Sequence, residues 1–349
     1  MATASNRVDH QVLRDFVRAV FERKGMPSDY AAQEAEVLVW ANLRGVDSHG
    51  VLRLPRYLDM IDRGDVNPKP TLRVAFETAA SAILDADNAF GPIAMTRAMD
   101  IAIEKARAAT IGWVQVRETA HSGAVGHYAL RAARADMIGL VTVVSPPNMA
   151  YHGTRAAGVA TSPLAIAVPA AQHAPLMLDM ASSMVAVGKI TQARNAGTPL
   201  PPDVAIDREG RPTTDPMAAI MPLPLGGPKG AGLSLMFECL TSLVVGAPII
   251  EPTLREGVTP RHRQNGLAIA LNIGAFTPVE AFKANVDATV AAIKALPKAE
   301  GVDEILAPGE RGDRILVRRT KEGIPLPPGT WRGLEAVAER VGLVPPRLL

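Results

Sequence analysis

The chain has 349 residues, enough for two ordinary domains or one large α/β unit. Hydrophobic residues make up 48% of it and mean hydropathy is +0.11, which excludes an apolar-poor, disordered polymer. Lys and Arg number 37 against 35 Asp and Glu, a net charge of +2 with no polybasic run, so nucleic-acid and membrane-surface partners are not expected.

Val8, Leu13, Phe16, Val17, Val20 and Phe21 recur at helical spacing, and Gly25 stops the helix. Met1 to Arg18 includes Asp9, His10 and Arg14 and has no apolar h-region, so it does not read as a signal peptide. Ser28 or Asp29 is placed to cap a second helix through Ala35, Leu38, Val39 and Leu43, ending near Gly45. A third runs from about Val51 through Leu54, Leu58 and Ile61 to Gly64. Pro55 fits only the first turn, so this helix starts late.

After Pro70 strands are predicted at 72–76, 82–84, 112–116, 139–144, 164–168, 176–178 and 267–273. Helices are predicted at 91–109, at 125–135 and after Asp179. The Pro- and Gly-rich stretch 195–228 reads as a surface excursion. A buried helix is predicted from Gly230. Its apolar run carries Glu238, read as partner to an Arg, and falls short of a membrane span. Cys239 is the only cysteine and fits a reducing compartment, so a cytoplasmic enzyme is expected. Thr277-Pro278-Val279-Glu280 reads as a capping box with proline at the first helical position, and Thr330 as the cap of a last short helix. Alternating strands and helices imply an α/β core behind a helical N-terminal segment. Residues 1–70 form that segment, 71–300 the core that binds cofactor and substrate, and 301–349 a return to the N-terminal region.

Three clusters hold candidate chemistry. In Gly45-Val46-Asp47-Ser48-His49-Gly50-Val51-Leu52-Arg53, His49 lies just before a helix and Arg53 in its first turn. Both can face one ligand. Histidine exchanges protons near neutrality and arginine holds a carboxylate in bidentate fashion, as reduction of a 2-keto acid requires. The plain alternative makes Ser48 an N-cap, His49 a loop residue and Arg53 a solvated charge. In the 119–128 cluster His121 and His127 precede or open a helix whose free amides could hold an anion; His127 reads as a surface residue. No metal spacing is present. In Leu178-Asp179-Met180-Ala181 the acid either orients a histidine or caps a helix. Gly226-Gly227-Pro228-Lys229-Gly230 lacks phosphate-loop spacing, and no Gly-x-Gly-x-x-Gly follows a strand, so a Rossmann dinucleotide site is not supported.

Together these pieces resemble the non-Rossmann malate/L-lactate dehydrogenase family, which includes ureidoglycolate and sulfolactate dehydrogenases and piperideine-2-carboxylate reductase. The matching segments are 48–57 (Ser-His-Gly-Val-Leu-Arg-Leu-Pro-Arg-Tyr), 121–126, 162–164, 179–181, 188–190, 228–230 and 308–311, in family order over nearly the whole chain. The resemblance implies a mixed-sheet, three-layer α/β core that binds NAD or NADP, in a homodimer. It implies His49 as general acid/base, assisted by Ser48 and Asp179, with His121 as its rival. Arg53, Thr161 and His121 would bind substrate. Ser145, Met177, Leu178, Asp179, Met180, Ala181, Pro228, Lys229, Gly309, Glu310 and Arg311 would bind cofactor. The sequence departs from the family pattern at Ala120, Ser122, Ser162, Ala231 and Leu267, so the resemblance leaves the substrate open. The expected reaction is hydride transfer at C2 of a small 2-hydroxy or 2-keto acid. Reduction of a cyclic imino acid and a catalytically silent ligand-binding relative are the alternatives.

Overall fold

Seven strands form one mixed sheet: β1 (Arg73–Glu77), β2 (Ser81–Asp85), β3 (Ile111–Thr119), β4 (Met137–Val144), β5 (Pro163–Val168), β6 (Leu176–Ala181) and β7 (Gln264–Asn272). Their spatial order is β1-β2-β3-β7-β4-β5-β6. The computed structural model describes residues 6–256 and 263–349; part of the N-terminal stretch read above, residues 1–5, lies outside them. Among the described residues only β2 and β3 pair in parallel. Helix α4 (Gly91–Ala109) supplies the crossover that a parallel pair needs, and the other neighbours are antiparallel. This mixed pairing separates the sheet from the all-parallel dinucleotide fold.

One sheet face is covered by α4 and α5 (Gly126–Ala133), the other by α7 (Pro228–Thr241), giving three layers. Small residues let the helices approach. A Cβ on Gly112 would lie 1.9 Å from the Ala102 carbonyl of α4, and its partner Ala270 on β7 is fully buried. Outside α4 pack α1 (His10–Arg23) and α2 (Ser28–Leu43), followed by two 3₁₀ turns (Asp47–His49 and Val51–Arg53) and α3 (Leu54–Asp62). Pro55 sits in the first turn of α3, as its chemistry demands. The remaining helices are α6 (Val187–Ala196), α8 (Ile250–Glu256), α9 (Val279–Lys294), α10 (Glu310–Glu322) and α11 (Pro328–Val341). The chain ends meet: Asn6–Val8 pairs with Ile324–Leu326, and α11 packs on α1 and α3.

Several local expectations change. No helix follows Asp179 directly, because pairing with β5 extends β6 to Ala181. Pro27, Pro278 and Pro327 occupy the N-cap positions themselves, so Ser28 and Asp29 lie inside α2, Thr277 outside α9 and Thr330 inside α11. α11, at 14 residues, is not short. α7 starts at Pro228 and is buried on one face only, with Leu235, Met236 and Leu240 exposed. Glu238 is buried, but its partners are the Ile249 and Ile250 amides at 2.8 and 3.0 Å, where it caps α8. The stretch 195–228 includes a two-stranded ladder (Ala205–Ile206 with Met221–Pro222), and Leu200, Val204, Ala205 and Ala219 pack with Ile190 of α6 into a small core of their own. Among the described residues no single helix is long and apolar enough to cross a membrane.

Candidate active site

Buried Asn42, near the end of α2, shapes the loop that carries His49. Its Oδ1 accepts the Val51 amide at 2.8 Å, and its Nδ2 donates to Asp47 Oδ1 at 2.7 Å. Asp47 also receives both Nη groups of Arg319 from α10, at 2.7 and 3.1 Å. This bracing folds the chain into two 3₁₀ turns with Gly50 between them. A Cβ on Gly50 would lie 2.1 Å from Asn42 Oδ1, so only glycine fits.

The turns set three side chains. His49 Nδ1 lies 3.0 Å from Ser48 Oγ, and Arg53 Nε donates to the Ser48 carbonyl at 2.7 Å. Gly188 at the start of α6 closes over them: a Cβ there would be 3.0 Å from Ser48 Cβ and 3.3 Å from Arg53 Nη2. From the loop after β3, His121 stacks beside His49 with ring centres 5.6 Å apart and planes 17° off parallel. His121 Nδ1 accepts the Gly123 amide at 3.3 Å and lies 2.5 Å from the hydroxyl of buried Tyr57. A backbone amide can only donate, so this Nδ1 carries a lone pair. Tyr57 then donates to it as well, and the neutral ring holds its proton on Nε2.

Two cavities meet at His49, Gly123, Val125, Thr161, Pro163 and Ala186. The smaller, 530 Å³, is lined by His121, Arg53, Arg56, Arg63 and Asp65, with Ser145 on its wall. The larger, 890 Å³, runs past Trp40, Arg44, Asp179, Lys189, Gly309 and Arg311. Burial, reinforced by the charge of Arg53, lowers the His49 pKa to about 4, although one side of the ring reaches the cavities. Burial likewise lowers Arg53 from its usual range, with Tyr57 opposing and Arg56 adding to the shift. Asp179 is pushed up to about 6 by the protein around it, against the Gly126 amide and Arg44. Its carboxylate is solvent-exposed where it opens into the larger cavity, so water tempers that shift.

Of the sequence-derived site residues, Ser48, His49, Arg53, His121 and Thr161 converge on the junction. Met177, Asp179, Met180, Ala181, Gly309 and Arg311 line the larger cavity, whereas Ser145 lines the smaller. Asp179 has a backbone partner within the fold. It caps α5 from the neighbouring strand, accepting the Gly126 amide at 2.9 Å. Leu178, Pro228, Lys229 and Glu310 line neither cavity. Glu310 is engaged with Lys294 at 2.7 Å, with Arg314, and with the Ala307 amide at 3.0 Å. His127, expected at the surface, is buried edge-on beneath Trp40 with ring centres 5.1 Å apart, and burial lowers its pKa to about 4.

Sequence reasoning missed the contacts of Tyr57, and it missed Arg56, Arg63 and Arg44. Arg56 stands three residues after Arg53, and Arg63 seven after Arg56, a helical spacing that was visible. Arg44 was not legible. Its guanidinium stacks over Trp40 at 5.3 Å, pairs with Asp313 and donates to the Gly309 carbonyl at 2.9 Å, all through folding of distant segments. Among the described residues no cluster of His, Cys, Asp or Glu could hold a metal ion.

The fold and site define a non-Rossmann α/β protein in which a stacked histidine pair and an arginine stand where two cavities meet. Residues 8–335 match the model of the malate/L-lactate dehydrogenase family. L-sulfolactate dehydrogenase of Methanocaldococcus jannaschii is 35% identical over 93% of this chain and 94% of its own. A solved structure of sulfolactate dehydrogenase from that organism superposes with a TM-score of 0.86, at 34% identity and covering 97% and 98% of the two chains. Ureidoglycolate dehydrogenase (NAD(+)) of Escherichia coli K12 is 32% identical over 91% of this chain and 92% of its own. The structure of Δ1-piperideine-2-carboxylate reductase from Pseudomonas syringae matches with a TM-score of 0.82, at 29% identity over 97% and 99% of the chains. The chain therefore belongs to the malate/L-lactate dehydrogenase family, and it is an oxidoreductase.

Proposed function

We propose that the chain catalyses reversible hydride transfer between NAD in the larger cavity and C2 of a small 2-hydroxy or 2-keto acid in the smaller. The observation that carries this reading is the meeting of both cavities at the His49–His121 pair, with Arg53 on the substrate side. The residues present fit a dinucleotide. The larger cavity offers two cations, Lys189 and Arg311, for phosphates and an apolar wall from Trp40 to Leu200. At Gly309 (φ +92°) a Cβ would come within 3.2 Å of the Met177 backbone. When bound, the nicotinamide supplies the hydride acceptor or donor. NAD is favoured because the ureidoglycolate dehydrogenase relative carries NAD(+) in its name.

Arg53 holds the substrate carboxylate and thereby fixes C2 between the histidines. His49 is favoured over His121 as the base. With Nδ1–H donating to Ser48, its Nε2 is left to take the hydroxyl proton during oxidation and return it during reduction. Its lowered pKa keeps the ring neutral, and so able to accept a proton, at neutral pH. His121 has its Nδ1 lone pair engaged by Gly123 and Tyr57, so its Nε2–H is suited to donate to the substrate oxygen. The same acid and anion clamp would serve a C=N bond, a second reading favoured by the reductase neighbour. A homodimer in the cytoplasm belongs to the same proposal; the exposed apolar face of α7 supports the second copy.

The test follows reduced-nicotinamide absorbance with NADH or NADPH and a panel of 2-keto acids and cyclic imines. Turnover of keto acids with NADH, lost in His49→Gln while NADH still binds, is the expected result. Undiminished turnover in His49→Gln would transfer the base to His121, and no turnover with any pair would overturn the reading.

A further inference from the structure

Glu34 is an acid that the fold buries for no structural gain. It is fully buried in the first half of α2, and among the described residues neither of its side-chain oxygens makes a hydrogen bond. Burial alone raises its pKa well above the usual carboxylate range, so at neutral pH it holds a proton. Two unmet oxygens in the core disfavour the folded state, and an aliphatic side chain would avoid that.

Its surroundings supply another reason for it. Val37, three residues on and on the same helix face, approaches the loop that carries His121: a Cβ on Gly123 would lie 3.3 Å from Val37 Cγ1. Two buried tyrosine hydroxyls reach that loop as well, Tyr57 from α3 at His121 Nδ1 and Tyr128 from α5 at the Ser122 carbonyl, 2.6 Å away. A charge on Glu34 acts on both, raising the pKa of each, while Arg53 and Arg56 oppose it at Tyr57. Other elements packed on α2 bring no free charge to this point. Arg14 of α1 pairs with Glu36, Arg319 of α10 pairs with Asp47, and the buried residues of α4 are all apolar.

We propose that Glu34 is a positioning residue acting through Tyr57: the neutral acid leaves the Tyr57 hydroxyl proton to His121 Nδ1, and the carboxylate draws it away. A carboxylate is the stronger acceptor, so its formation takes the shorter Nδ1 bond from His121 and loosens the hold on the Nε2–H form. Activity therefore falls as pH rises through the ionisation of Glu34. The effect on rate rests on the hydride-transfer reading; the effect on the ring does not.

The test has two readouts. The first is kcat against pH with NADH and the 2-keto acid reduced fastest in the panel above. The second is the ¹⁵N signal of the His121 ring against pH without substrate, assigned by its loss in His121→Gln. In the wild type the rate should fall, and the signal move, at alkaline pH. In Glu34→Gln and Glu34→Leu, which cannot ionise, both changes should shift up by about one pH unit or more, or vanish. Glu34→Leu should also melt at or above the wild-type temperature, the opposite of what a purely structural role requires. A His121 signal that does not titrate in the wild type, or that titrates unchanged in both variants, overturns the proposal. A Glu34-dependent signal in a protein that turns over no keto acid would sustain this inference while defeating hydride transfer. Turnover with a signal indifferent to Glu34 would do the reverse.

Discussion

Tyr57 and Gly123 decide where His121 keeps its proton, and in the proposed reaction that divides labour between the two histidines. The tyrosine is fully buried, and its own pKa is raised well above the usual phenol range by burial first and by Glu34 next, so its hydroxyl stays protonated and available to donate. Removing that hydroxyl takes the shorter bond from His121 Nδ1, which keeps the longer one from Gly123, and allows the ring to change tautomer. Tyr57→Phe is therefore expected to lower kcat by about 10- to 100-fold, in the range of a displaced proton-transfer partner. The cost in stability should be about 1 kcal/mol, that of one net hydrogen bond. Steady-state kinetics beside a thermal melt checks both, and a kcat within twofold of wild type would count against this placement of the proton. The histidines and Arg53 were legible from residue type and loop position. Tyr57 was legible only as part of a pattern, because its partner lies 64 residues away and the contact exists only after folding.

At the scale of elements, periodicity located the sheet well, since strands buried against helices on one face alternate in a readable way. Helix starts were read less well, for a specific reason. Pro27, Pro278 and Pro327 have φ between −54° and −57° with extended ψ, the geometry an N-cap needs, so each displaced the neighbouring Ser or Thr from that position. Asp179 was ambiguous for a related reason. An acid followed by small residues suits a helix start, yet the helix it caps is α5, which begins 53 residues earlier in the chain. The loop between α2 and α3 depends on a comparable non-local fit at Gly50. In Gly50→Ala the new methyl group must displace the Asn42 side chain, which frees the Val51 amide and Asp47 together. A loss of about 2–3 kcal/mol is expected from overpacking and a broken buried hydrogen bond. Denaturant titration reads that loss, and kcat/KM should fall with it because His49 and Arg53 flank the glycine. Full activity in a stable Gly50→Ala protein would show that Asn42 is not the brace.

At the scale of the whole molecule, the C-terminal segment holds the site as firmly as the N-terminal one. Arg319 of α10 reaches Asp47 beside His49, while Arg44 at the end of α2 reaches Asp313 and the Gly309 carbonyl at the edge of the larger cavity. Sequence order could place both segments near the site, but the paired charges that join them become visible only in three dimensions. The sheet face opposite α4 and α5 has less cover. Leu235, Met236, Leu240, Leu243 and Val244 are exposed on α7 and the turn after it, a concentration of apolar surface that a lone chain would leave in water. Their spacing keeps them on one flank of the helix, away from the face occupied by Phe237 and Thr241. A second copy of the chain docking there would bury that flank, and stable dimers typically cover about 800 Å² on each partner. The double variant Leu240→Glu with Val244→Glu places two charges in the proposed contact without touching the buried face. Sedimentation at micromolar concentration should then shift from dimer to monomer, with the circular dichroism spectrum retained. A wild type that sediments as a monomer, or a variant that remains dimeric, would rule out α7 as the interface.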